Sequence, residues 1–132
     1  MGLLKRILGI CETQPPADAG CWQVKEGQVE IELARAPELS APGGAVRLEG
    51  QGLPMRVLVV HGPDNRYLAF HNKCTHGGRR IDPLPGTDQV RCCSVSKSTF
   101  DYEGRVVSGP AKGPLTPFPV TAEGGALRIA IS

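Results

Sequence analysis

A small all-β module is the fold class this chain predicts, and three observations predict it. The 132 residues include 17 glycines and 12 prolines, aromatic residues make up only 5%, and several short segments alternate apolar and polar side chains. Turn formers at that density break helices and separate short strands. The length is that of one domain, so a multidomain oxygenase, dehydrogenase or kinase is not expected. Lys and Arg number 15 against 13 Asp and Glu, a formal charge of +2. The basic residues are scattered, so no nucleic-acid partner is expected. No apolar run is long enough to cross a bilayer, so no transmembrane segment is expected.

The elements follow in order. Residues 1–10 are read as a short amphipathic helix with Leu3, Leu4, Ile7 and Leu8 on one face. Lys5 and Arg6 interrupt the apolar stretch, so a signal peptide is not the reading. Packing on the domain is expected for this helix, with a peripheral membrane or partner contact as the lesser alternative. Residues 12–20 are a polar Pro/Gly linker, so 1–20 is an N-terminal segment and 21–132 the domain. Trp22–Lys25 and Gln28–Leu33 alternate around Glu26-Gly27 and predict a hairpin. Ala36–Leu39 predicts a helical turn, and Ala45–Leu48 a strand. Arg56–Val60 and Arg66–His71 are strands flanking the turn former His61-Gly-Pro-Asp-Asn65. Residues 72–88 read as loop, then Gln89–Cys92, Ser98–Asp101 and Arg105–Val107 as short strands. A proline-rich loop leads to the closing strands Phe118–Thr121 and Ala126–Ile131. A loop-built subdomain over about 72–117 is thus inserted in a strand-rich base.

Five cysteines, Cys11, Cys21, Cys74, Cys92 and Cys93, are an odd number. That count argues against a disulfide framework and for a reducing, cytoplasmic setting. Cys11 and Cys21 are expected to be small, partly buried side chains. Cys74-Thr-His76 and Cys92-Cys93 are different. A Cys and a His two apart on a glycine-rich loop can face one metal centre, and a cysteine from a second loop can face it from the other side. Thiolate and imidazole together suit iron–sulfur, zinc or copper.

Here the chain resembles the Rieske family. That signature is C-x-H, about sixteen residues, then C-x-x-H, followed by a glycine, an F-D pair and a G-P-A loop. Cys74-Thr-His76 matches the first half, and residues 77–92 separate it from Cys93. Phe100-Asp101, Gly104-Arg-Val106 and Gly109-Pro-Ala111 follow in register, so the resemblance spans about residues 57–117. It implies an antiparallel β-sandwich base with a small cluster-binding subdomain. It also implies a [2Fe-2S] cluster held by Cys74, His76, Cys93 and the residue three beyond Cys93.

That last residue is Ser96 where the family has its second histidine, and Lys97 stands where a glycine is usual. Three outcomes remain open. Ser96, or Cys92 after a local kink, completes the iron and a cluster of lowered potential survives. Alternatively the cluster is lost and the fold persists as a binding or structural module. The third outcome is a single zinc or iron held by Cys74, His76, Cys93 and either Cys92 or water. His61 and His71 read as ordinary surface or core histidines. Arg79 and Arg80 read as exposed cations able to meet an acidic partner. The resemblance implies a small ferredoxin-like electron carrier, not an enzyme by itself, with a reductase or oxygenase as redox partner.

Overall fold

The structure is a computed structural model describing residues 11–75, 77–84, 86–93 and 98–131. The expected helix over 1–10 lies outside them. The described residues form twelve strands: β1 (Trp22–Lys25), β2 (Gln28–Glu32), β3 (Ala45–Leu48), β4 (Val57–His61), β5 (Tyr67–His71), β6 (Ile81–Pro83), β7 (Gln89–Cys92), β8 (Thr99–Asp101), β9 (Val106–Ser108), β10 (Pro117–Phe118), β11 (Val120–Glu123) and β12 (Ala126–Ala130). They make three four-stranded antiparallel sheets, ordered β1-β2-β12-β11, β10-β5-β4-β3 and β6-β7-β8-β9. The expected all-β antiparallel base is present, and the third sheet comes between β5 and β10 in the chain.

Why the sheets stack follows from side-chain alternation. Strand β4 is buried at all five positions. Val57 and Val59 point into a core with Val29, Ile31, Leu127 and Ile129 of the first sheet. Leu58 and Val60 point the other way, with Phe70, into a second core shared with Ile81, Val90 and Phe100 of the third sheet. A strand covered on both faces must be apolar throughout, which explains the unbroken run Val57-Leu-Val-Val60. Strands β2 and β12 have one covered face, so they alternate, and the outward pair Glu30 and Arg128 face each other in register with 3.4 Å between charges.

Two local features depart from the sequence reading. His61 ends β4 instead of opening the turn; it is buried, and its Nδ1 lies 2.8 Å from the Leu39 carbonyl oxygen. Ile81–Pro83, expected as loop, is the edge strand β6. Proline lacks an amide proton, so an edge is where a sheet tolerates it, and Pro83 pairs with Val90 there.

Residues 12–20 are docked along much of their length. The Thr13 and Gln14 carbonyls accept from Arg47, through its Nε (3.2 Å) and its backbone N–H (3.0 Å). Ala17 N–H donates to Glu38 (2.7 Å), and Asp18 caps the short turn Ala19–Cys21 by accepting from Gly20 N–H.

Candidate metal centre

The first cysteine loop, between β5 and β6, is held by its backbone. Asn72 is buried; its N–H donates to the Arg56 carbonyl (2.9 Å) and its Oδ1 accepts the Ile81 N–H (2.7 Å). Arg56 reaches across the loop, donating to the carbonyls of Asn72 (3.0 Å) and Gly78 (2.7 Å). The Gly78 N–H closes a turn on the Cys74 carbonyl (2.8 Å). Thr75 Oγ1 donates to the Gly113 carbonyl (2.6 Å), tying the loop to the Gly109–Pro117 segment.

The second loop follows β7. Cys92 N–H donates to the Ser98 carbonyl (2.8 Å), closing the loop at its base. Cys74 N–H donates to the Arg79 carbonyl (2.6 Å) and Cys93 N–H to the Arg80 carbonyl (2.9 Å). The two cysteine loops are therefore hung from consecutive carbonyls of one segment, although nineteen positions separate Cys74 and Cys93 in the chain.

Alternation then sorts the sulfurs. Cys92 faces Ile81 across the β6–β7 pair and packs in the second core, which also contains Cys74. Cys93 comes one residue later and turns to the opposite face. There it forms a disulfide with Cys11, Cα–Cα 5.3 Å, closing 82 positions of chain. This corrects two expectations. Cys11 is not a bystander, and the odd cysteine count does not exclude a crosslink, because Cys21, Cys74 and Cys92 remain thiols.

Asp82 lies on that same outer face of β6. Its carboxylate accepts the Glu12 N–H (2.7 Å) and the Thr13 N–H (3.0 Å), fixing the segment that carries Cys11. The donor atoms of Cys11, Asp82 and Cys93 all lie within 4.8 Å of one another. A cavity of about 350 Å³ opens beside them, lined in part by Thr13, Asp82, Pro83 and Arg91. Sequence reasoning missed Cys11 and Asp82, since no spacing rule joins residues seventy to eighty positions apart.

Of the other expected site residues, His76 and Ser96 lie outside the described residues, as do Ser94 and Lys97. His71 lines an open cleft with Lys73, Cys74 and Thr75. Burial, and then the neighbouring Lys73 and Arg56 charges, push its imidazole pKa down. Arg79 is exposed as expected, but Arg80 is not a free cation. Its Nε and Nη2 grip the Glu49 carboxylate at 2.6 and 2.8 Å.

Residues 29–119 match the family model for the Rieske [2Fe-2S] domain, more than half of the chain. The chain belongs to the Rieske family. The cytochrome b6-f complex iron-sulfur subunit of Chlorobaculum tepidum is 28% identical over 109 residues, covering 82% of this chain and 58% of that protein. The chain thus spans a little over half the length of this curated relative. Among solved structures, the plasma membrane Rieske protein PetC3 of Synechocystis PCC 6803 superposes with a TM-score of 0.56 at 24% identity, covering 70% of this chain and 91% of that one. The ferredoxin of carbazole 1,9a-dioxygenase from Nocardioides aromaticivorans IC177 superposes with a TM-score of 0.59 at 20% identity, covering 70% and 88%. These two likenesses establish the fold.

The Rieske domain implies a [2Fe-2S] cluster, and the donors can be tested against it. Iron takes thiolates, and a disulfide sulfur has none to offer. With Cys93 bonded to Cys11, the donor set does not fit the cluster. With that bond open, Cys93 regains a thiol, on a loop hung from the carbonyl next to the one that holds Cys74.

Proposed function

We propose that this Rieske domain, in its thiol form, works as a small carrier of single electrons between a reductase and an oxygenase or comparable acceptor. One observation supports the reading: the two motif cysteine loops hang from the adjacent Arg79 and Arg80 carbonyls, which brings loops nineteen positions apart in the chain next to each other. Cys74 and Cys93 would hold one iron, and His76 the other with Ser96 or Cys92. The cluster, when bound, supplies reversible one-electron storage. The protein supplies the hydrogen-bonded loops that keep the donors placed. Replacing an imidazole by an oxygen or thiolate donor leaves more negative charge on the cluster and lowers its potential. A cytoplasmic setting belongs to the same proposal.

A second reading, a binding module without a cluster, is favoured by Ser96 and by the Cys11–Cys93 bond. Iron and acid-labile sulfide analysis of protein reduced and handled without oxygen separates the two. The carrier reading expects a red-brown protein with two irons and two sulfides, loss of both in Cys93→Ala, and tighter iron retention in Ser96→His. A colourless, folded protein that takes up no iron in any of these forms overturns it.

A further inference from the structure

We infer that Cys11 and a [2Fe-2S] cluster compete for the same sulfur, so that the Cys11–Cys93 bond switches the metal site off. The inference rests on the carrier reading above and adds its regulation. Three observations bear it. Cys93 occupies the ligand position of the family motif and is bonded to Cys11. Cys11 is delivered by a built dock, since Asp82 accepts the two amides that follow it while Arg47 holds the carbonyls of Thr13 and Gln14. None of those four hydrogen bonds involves the disulfide itself, so the dock survives reduction and holds the Cys11 thiol next to Cys93. A thiol held in place acts at a high effective concentration.

Closure proceeds by exchange with a small disulfide such as oxidised glutathione. The Cys93 thiolate attacks one sulfur and a first glutathione thiol leaves. The Cys11 thiolate then attacks Cys93 Sγ in the mixed disulfide, and the second glutathione leaves. Two cysteines are oxidised, one glutathione disulfide is reduced to two thiols, and the protons from Cys11 and Cys93 end on those thiols. Cys74 and Cys92 sit in the buried core and remain thiols, so the switch spares them. In a reducing compartment a disulfide of this kind is transient and redox-sensing.

The test uses the full chain. Protein equilibrated with glutathione over a range of oxidised-to-reduced ratios is split for peptide mapping of the Cys11–Cys93 link and for anaerobic reconstitution with ferrous iron and sulfide, read by visible absorption. Iron uptake is expected to fall in step with the appearance of the crosslinked peptide. Cys11→Ser, checked for folding by circular dichroism, should take up the cluster at every ratio, and reduced wild type should do so without any substitution. Asp82→Ala, which keeps both cysteines, should need a more oxidising ratio to close, by roughly tenfold or more, because both amide hydrogen bonds to the carboxylate are lost. Full cluster content in protein that carries the crosslink overturns the competition and leaves the carrier reading standing. So does finding no Cys11–Cys93 peptide at any ratio. Absence of iron from wild type and Cys11→Ser in all states overturns both.

Discussion

Residues 98–111 and the cysteine loops at 74–76 and 93–96 belong to one family motif, yet this chain treats them differently. In 98–111 each motif residue has a mechanical task. Phe100 fills the second core and is fully buried. Asp101 Oδ1 accepts the amides of Glu103 (3.0 Å) and Arg105 (2.9 Å), shaping the β8–β9 turn. Ala111 N–H donates to the buried hydroxyl of Ser98 (3.1 Å). The cysteine loops keep their backbone supports, but one donor is crosslinked and another is replaced by serine. Fold and ligation thus rest on different residues: packing and hydrogen bonds among residues 98–111 hold the frame, and the donors sit on the cysteine loops. That separation can be attacked from the frame side.

The largest effect is expected at Gly109. Its φ is +92°, and a Cβ there would stand 2.5 Å from Ser98 Cα, against backbone that cannot rotate away. Gly109→Ala should cost roughly 3 kcal/mol, combining left-handed strain with overpacking. Urea unfolding of the crosslinked, iron-free protein measures it. If the frame stands by itself, the loss appears there in full; a loss seen only in cluster-loaded protein would tie frame to iron.

Ser98→Ala is the milder version. It strands the buried Ala111 amide and removes only the hydroxyl oxygen, and should cost about 1–2 kcal/mol. Because Ser98 also closes the base of the second loop through its carbonyl, which the substitution leaves intact, the Cys11–Cys93 link should still form. Peptide mapping of the variant checks that.

These contrasts also explain what the sequence made legible. Alternation in β2 and β12, the unbroken apolar run of β4 and the register of Phe100, Gly104 and Gly109 are local patterns, and the fold followed from them. Strand β6 was not legible, because Asp82-Pro-Leu-Pro carries the composition of a turn and an edge position rescues it only after pairing with β7. The Cys11–Cys93–Asp82 grouping was not legible for a different reason. It depends on which face Cys93 takes after β7, and on a segment 82 positions earlier in the chain lying over that face. No periodicity encodes either. Arg80 misled in the same way, since its partner Glu49 is thirty-one residues away.

That pair supplies the smallest and most specific prediction. Glu49 joins two parts of the region: Arg47, whose guanidinium reaches it at 3.1 Å and whose Nε and amide hold the Cys11 segment, and Arg80, whose carbonyl supports Cys93. The Arg80 hydrogen bonds hold the Glu49 carboxyl below the usual glutamate range against the opposing effect of burial, with Arg47 adding to the lowering. A carboxyl depressed in the folded state stabilises above its unfolded pKa of about 4.3, and that contribution is lost as the pH falls through the lower folded value. Glu49→Gln should therefore cost about 1 kcal/mol at pH 7, the scale of a partly exposed ion pair. The gap between variant and wild type should hold down to about pH 4.5 and close below it. Unfolding curves of both proteins between pH 7 and pH 3 decide the point, and a gap that persists at pH 3 would assign the effect to packing instead of charge.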